Sequence, residues 1–404
     1  DSAAAEMIEA LIAARRPSVI INTTAFSARR ADDTTVLDAA DCPVLQVALA
    51  GTSNAAWEAS DRGLAPSDLA MHVVLPELDG RLFTRAISFK AETPVDAEIE
   101  YAGMQHEPAA DRVAYVAQLA AAWARLNATP RDARRLAIML SDYPARGGRT
   151  GYACGLDTPE SAREIVSLLA DAGYSTGVDV GSASELLAGL TSAPRDHLRL
   201  SLDAYLEHLE ALPAEVRGTL EAAWGDPAAD PACVGGAFRF PCLRAGNIVL
   251  LLQPDRGARG DRKQGYHDTS CPPRHGYVAL YACLRRHERI DALVHLGTHG
   301  TLEWLPGKAL ALSERCFPEA VLGPVPVIYP FIVNNPGEAV QAKRRISAIT
   351  IGHLTPPLST AGLPRSASAA APGSCAGGSS MRVMVTGISP AYSSTISRIF
   401  FTVS

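Results

Sequence analysis

PPRHGYVALYACLRRHERIDALVHLGTHGTLE, residues 272–303, is the stretch whose reading decides the fold. Tyr277, Leu280, Tyr281 and Leu284 recur at i, i+3, i+4 and i+7, which predicts a helix over Pro273–Arg286 with an apolar face. Pro273 suits the first turn, where a missing N–H costs nothing. Ala292–Leu296 is a strand-length apolar run interrupted only by His295, and Gly297 closes it. A helix feeding a short strand is half of a βα unit.

The same alternation extends outward. Strand candidates are Ser18–Asn22, Pro43–Ala48, Leu69–Leu75, Arg135–Leu140, Asn247–Leu252, Ala292–Leu296, Val327–Val333 and Ile346–Ile351. Helix candidates are Ala3–Arg16, Asp111–Leu126, Pro159–Ala172, Leu202–Trp224, Pro273–Arg286 and Pro336–Arg345. The pattern predicts a multi-domain α/β protein of Rossmann-like βα units, with mostly parallel sheets and helical insertions. The expected divisions are an α/β domain over 1–130, an α/β and helical segment over 131–225, an α/β segment carrying the site over 226–363, and a divergent, disordered tail over 364–404. The tail has no Asp or Glu and is rich in Ser, Ala and Gly, a composition that buries little. Ser397–Val403 is its one β candidate. Thr158 before Pro159 reads as N-cap and N1 of one helix, and Asn335-Pro336-Gly337-Glu338 as N-cap to N3 of another.

Bulk properties narrow the classes. A net charge of −6 argues against a nucleic-acid footprint. No segment approaches the roughly 18 uncharged apolar residues of a membrane span. The eight cysteines contain no C-x-x-C pair, so zinc-ribbon and thioredoxin chemistry lack support, and their dispersion suits a reducing cytoplasm. The chain opens on Asp1 and reads as an internal fragment.

Six of the ten histidines follow residue 266. His295-Leu-Gly-Thr-His299-Gly-Thr-Leu-Glu303 is the densest cluster, and it ends a strand candidate, where α/β proteins build their sites. Gly297 and Gly300 favour a tight loop over a continuous helix. Two imidazoles and a carboxylate suit Zn²⁺, Co²⁺ or Fe²⁺, which makes His295, His299 and Glu303 candidate metal ligands. The competing reading is a hydrogen-bonded loop without a ligand. His267-Asp268 and His275 form a second constellation, in which Asp268 orients an imidazole and the helix dipole keeps His275 neutral and proton-accepting. The competing reading is a turn set by Pro272 and Pro273. Lys308 ends a stretch that fails as a Walker A loop, because Leu302 replaces its first glycine and Ala309 its Ser or Thr. Lys308 is then a capping charge or a contact for an anionic group. Arg344 and Arg345 either complement a helix dipole or meet substrate carboxylates with their planar forks.

These motifs add up to a family. ALVHLGTHGTLEWLPGKALALS (292–313) and VPVIYPFIVNNPGEAVQAKRRISAITIGHLTPPL (325–358) resemble the signature of the large, tetrapyrrole-binding subunits of cobaltochelatase and magnesium chelatase. GLAPSDLAMHVVLPELDGRLFTRAISFK (63–90), GNIVLLLQPDRG (246–257) and YHDTSCPPRHGYVALY (266–281) are similar to further segments, in order, between Pro17 and Leu363. The resemblance leans towards cobaltochelatase. It implies ATP-dependent insertion of Co²⁺ into hydrogenobyrinic acid a,c-diamide in cobalamin biosynthesis, with Co²⁺ as the substrate metal. It also implies an AAA+ ATPase partner and a second small subunit, which use ATP and Mg²⁺.

The roles it implies are as follows. His295, His299 and Glu303 are catalytic: they present the metal or accept ring protons. His267, Asp268 and His275 line the same cleft. Lys308, Arg344 and Arg345 bind substrate carboxylates. Asn335 and Gly352 depart from the family pattern, which has Asp at both positions. Three rivals remain: a magnesium chelatase subunit acting on protoporphyrin IX, a non-catalytic tetrapyrrole-binding protein, and a metallohydrolase. Ring preference separates the first, product formation with the ATPase partners the second, and a permanently bound metal the third. The failed Walker A pattern predicts that the purified chain alone releases no phosphate from ATP. Turnover that survives removal of contaminating ATPases would contradict this.

Overall fold

The computed structural model describes residues 2–32, 34–142, 151, 153, 156–177, 179–257, 268–297, 300–332, 336–353 and 383–384. Among these, the strands form two sheets. The smaller has β1 (Ile20–Asn22), β2 (Val44–Leu49) and β3 (Leu82–Glu92) in parallel, with β4 (Met104–Pro108) antiparallel at its edge. The larger contains β5 (Leu136–Leu140), β6 (Asp196–Ser201), β7 (Ala237–Ala245), β8 (Ile248–Leu252), β9 (Ala292–Leu296), β10 (Val327–Ile332), β11 (Ile349–His353) and β12 (Val383–Met384). Its order is β12-β11-β10-β9-β5-β8-β7-β6. The five strands from β11 to β8 run parallel, and antiparallel strands close both edges. The expected mostly parallel α/β architecture is what the chain adopts.

Period-two alternation on β5 explains the layers. Leu136, Ile138 and Leu140 join a cluster with Trp123 of helix Ala110–Ala128 and Ile165 and Leu169 of helix Thr158–Asp171. Ala137 and Met139 face the other way, towards Tyr277, Leu280 and Tyr281 of helix His275–Arg286. That helix is buried from His275 to Leu284, well beyond the one apolar face its periodicity predicts. Leu45 and Val47 of β2 belong to the same cluster as Leu136, so the two sheets share a core through helix Ala110–Ala128.

Several elements differ from expectation. Leu69–Leu75 is helical: Pro66–Leu69, a π-helical stretch Ala70–Val74, then Leu75–Leu78. Asp68, His72, Val73 and Pro76 are its buried residues, a helical stripe that an apolar run disguised. Leu202–Trp224 is two helices, Leu202–Glu210 and Ala214–Trp224, because Pro213 interrupts the ladder. The N-cap expected at Thr158 is Asp157, whose carboxylate accepts the N–H of Glu160. The N-cap expected at Asn335 lies outside the described residues, and so does the tail apart from Val383–Met384, which pairs with β11. Helix Pro336–Arg345 has the predicted bounds. No described helix is long and apolar enough to cross a membrane.

Distant segments are tied by buried charge. Arg85 of β3 meets Glu319 of helix Phe317–Leu322 at 2.5 Å, and its guanidinium lies 4.0 Å from the Tyr115 ring centroid. Removing one partner of a buried pair strands the other charge. Arg85→Met should therefore cost about 3–5 kcal/mol in urea unfolding. Arg85→Met/Glu319→Leu should recover most of that loss. An unchanged midpoint in the single variant would show that the pair is dispensable.

Candidate functional site

Three parallel strands end side by side. Ser141, just past β5, donates its N–H to Leu296 O at 2.9 Å and its hydroxyl to Gly297 O at 2.8 Å. Gln253, just past β8, donates its N–H to Leu140 O at 2.9 Å. β8 and β9 flank β5, although they are consecutive among the described strands, with helix His275–Arg286 between them in the chain. Such a crossover opens a crevice at the strand ends, the usual place for an α/β site. Gly297 has φ +105°, and a Cβ there would lie 2.6 Å from that of Ala153. Only glycine allows β9 to end so close to this loop.

β9 buries His295 on the face it shares with Leu293. Its Nε2 lies 2.7 Å from Gln253 Oε1, while Nδ1 is buried with no hydrogen-bond partner. The ring stacks on Tyr329 of β10, with centroids 4.5 Å apart and planes 28° apart. Burial pulls its pKa down to about 3, against weaker opposing pulls from the Gly297 and His295 backbone. The imidazole is therefore neutral near pH 7.

The 3-10 turn Leu302–Trp304 buries Glu303 beside the same tyrosine. Its Oε1 accepts from Tyr329 Oη at 3.1 Å, and Oε2 is buried with no partner. Tyr329 Oη in turn accepts the Gly300 N–H at 2.9 Å. A Cβ at Gly300 would come within 2.8 Å of both Glu303 carboxylate oxygens, so the glycine is needed here too. Burial pushes Glu303 up to about 7. Hydrogen bonds from its own backbone and from Tyr329 oppose the rise, as does the charge of Arg345, and the charge of Glu338 adds to it. A neutral imidazole and a carboxyl that titrates near neutrality, each with an unpartnered atom, can attract a dication and take or give a proton. Among the described residues, no group of three or more His, Cys, Asp or Glu is placed to hold a metal ion.

The other predicted residues are placed as follows. His299 and His267 lie outside the described residues. Asp268 is exposed, and its carboxylate accepts the N–H and hydroxyl of Ser270 at 2.8 and 2.6 Å. His275 is kept neutral by burial, which lowers its pKa more than the Gly225 carbonyl raises it. Its Nδ1 lies 2.7 Å from Tyr205 Oη and its Nε2 3.0 Å from Gly225 O, so it packs the core with neither nitrogen left as a base.

The three cations expected to meet substrate carboxylates are engaged within the chain. Lys308 donates to the carbonyls of Glu58 and Ser60 at 3.1 and 2.8 Å and lies over the Trp57 ring. Arg344 forms a two-pronged pair with Glu77 at 3.0 and 2.8 Å. Arg345 is buried and donates to the carbonyls of Glu303, Leu305 and Lys308. The sequence reading gave no site role to Gln253, Thr301 or Tyr329, and it placed Tyr277 only on the apolar face of a helix. Gln253 had a usable signal, as the first polar residue after the run Ile248–Leu252.

The fold and site define an α/β protein with a buried imidazole and carboxyl at the ends of parallel strands. The sequence pattern of the CobN/Magnesium Chelatase family matches residues 1–369, and the chain belongs to that family. It is 45% identical over 372 residues to the aerobic cobaltochelatase subunit CobN of Sinorhizobium sp, covering 89% of this chain and 29% of that protein. To the Pseudomonas aeruginosa protein of the same name it is 41% identical, covering 89% and 30%. To the chloroplastic magnesium-chelatase subunit ChlH of Oryza sativa it is 31% identical, covering 76% and 22%. The solved catalytic subunit of cobaltochelatase from Mycobacterium tuberculosis superposes with a TM-score of 0.74 at 36% identity, covering 87% of this chain and 31% of that one. The chain thus spans less than a third of the length of these relatives. The resemblance read from the motifs is borne out.

Glu303 supplies a pH test. Its raised pKa means that the folded state holds a proton the unfolded chain releases above about 4.5. Stability from neutral Glu303 is therefore present below the unfolded value and lost as pH rises towards 7. His295, with its lowered pKa, acts in the opposite sense, so the comparison must be with a variant. Relative to Glu303→Gln, the metal-free wild-type chain should lose on the order of a few kcal/mol between those limits. Parallel stability–pH curves for the two would refute the assignment.

Proposed function

We propose that this chain is the part of a cobaltochelatase large subunit that receives the dication and exchanges it for inner ring protons. The reaction is ATP-dependent insertion of Co²⁺ into a corrinoid precursor, hydrogenobyrinic acid a,c-diamide, in the cytoplasm. An AAA+ ATPase subunit and a second small subunit supply the work of ATP hydrolysis, with Mg²⁺. Identity to the two cobaltochelatase subunits, 45% and 41%, exceeds the 31% to the ChlH subunit, which favours cobalt and a corrinoid over magnesium and protoporphyrin IX.

The observation that carries the proposal is the pair of unpartnered buried atoms, His295 Nδ1 and Glu303 Oε2, in two side chains that both contact Tyr329. Leaving such atoms unsatisfied costs about 1–3 kcal/mol each, a cost that an arriving ligand relieves. His295 offers a lone pair to the metal. Glu303 offers a carboxylate that attracts it, or a base that takes a ring proton. His299, two residues past Gly297 in the sequence, is assigned with them on the motif alone. Arg345 contributes by fixing the backbone of Glu303, and Lys308 by anchoring the following turn.

The test uses the complete large subunit with its partners. Glu303→Gln and His299→Ala should leave tetrapyrrole affinity within a few fold, while Co²⁺ insertion falls by roughly 10²–10⁴, the usual contribution of a general base. Insertion at near wild-type rates in both variants would make the loop structural. A collapse of ring affinity instead would make it a binding wall.

A further inference from the structure

Gln253 does more than fill the space beside His295. Its backbone N–H is tied to Leu140 O at 2.9 Å, which fixes where its side chain starts. Its amide nitrogen donates to Thr301 Oγ1 at 2.8 Å, and Thr301 Oγ1 lies 2.9 Å from Tyr277 Oη. All of these side-chain contacts are buried. A hydroxyl has one proton and two lone pairs, so Thr301 can accept from Gln253 and still share a hydrogen bond with Tyr277. The amide oxygen faces His295, 2.7 Å from Nε2. An oxygen with no proton of its own requires Nε2 to donate. The Nδ1 lone pair is then left unprotonated, buried and without a partner. The Tyr329 ring, stacked at 4.5 Å, limits rotation of the imidazole out of this position.

We infer that Gln253 is a positioning residue that holds His295 in the Nε2-protonated tautomer, so that Nδ1 is the atom offered to the incoming dication. This rests on the metal-handling reading of the site and adds to it the atom that acts and the group that selects it. A ligating histidine commonly donates its second nitrogen to an oxygen that fixes both tautomer and ring orientation. Here a neutral amide takes that part. Unlike a carboxylate, it sets the tautomer without adding negative charge beside the metal.

The test reads the tautomer first and the metal second. The 404-residue chain, labelled with ¹⁵N-histidine and free of metal, should show His295 with a protonated Nε2 and an unprotonated Nδ1. Adding Co²⁺ should broaden the His295 signals. Gln253→Leu should lose the tautomer preference and weaken Co²⁺ binding by roughly 10–100-fold, the usual loss when such a partner is removed. Gln253→Glu restores an acceptor for Nε2 and should restore both the tautomer and most of the affinity. Nδ1-protonated His295 in the wild-type chain overturns the inference alone. So does a Gln253→Leu chain that folds and keeps its Co²⁺ affinity. The expected tautomer in a chain whose His295 ignores Co²⁺ overturns the metal-handling reading and Nδ1's part in it together.

Discussion

Leu136–Leu140 is hydrogen-bonded to parallel neighbours along both edges and buried on both faces, and that double constraint positions the site. A strand with no free edge and no free face can vary little in register. Its carboxyl end therefore fixes the heights at which β8 and β9 stop. The two hydrogen bonds just past those ends, Ser141 to Leu296 and Gln253 to Leu140, bring Gln253 and His295 within reach of each other. Because β8 and β9 lie on opposite sides of β5, the residues gathered past its carboxyl end are distant in sequence.

The low dielectric of this crevice selects uncharged forms. An isolated ion buried there would be costly, so burial holds His295 neutral and raises Glu303 until it titrates near neutrality. Arg345 is the nearby exception. Its guanidinium is buried against three carbonyl oxygens, and burial pulls its pKa down to about 10, which still leaves it charged at pH 7. Carbonyl partners hold the loop in place without neutralising the cation, which leaves Arg345 able to oppose part of the rise at Glu303. A dication arriving at such a site meets a lone pair and a carboxyl that gives up its proton near neutrality.

How legible this was in the sequence follows from what each signal measures. Compact apolar runs marked β5, β8, β9 and β10 because these strands are buried on both faces. β3 was missed because Arg85 and Ser88 break the run, although both are buried. β6 and β7 were missed because they alternate, with Leu198, Leu200, Phe238 and Phe240 inward and Arg199 and Arg239 exposed. The motif reading singled out His295 and Glu303, since a histidine and an acid beside glycines stand out. It could not find Tyr329, a single aromatic inside a strand, or assign Lys308, Arg344 and Arg345 their partners. Those partners lie far away in the chain, and spacing carries no information about contacts of that range.

The use made of those cations shows what the smaller sheet does for the site. Glu303 lies on a loop that one sheet alone would hold from one side. Arg345 grips it from within, while its continuation is held by the other lobe: Lys308 by the carbonyls of Glu58 and Ser60, Ala309 N–H by Asp61 O, and Ala311 O by the Trp57 indole. The approach is so close at Gly63 that a Cβ would overlap Leu310 O, and the residue's φ of +90° likewise demands glycine. The pairs Arg85–Glu319 and Arg344–Glu77 secure the same boundary elsewhere. Among the described residues, Gln253 and Tyr329, the side-chain partners of His295 and Glu303, come from the larger sheet, yet the smaller sheet holds the continuation of the Glu303 loop. The spacing between imidazole and carboxyl is therefore set jointly by both sheets, and a change at their boundary acts on the site through backbone position before it acts through charge.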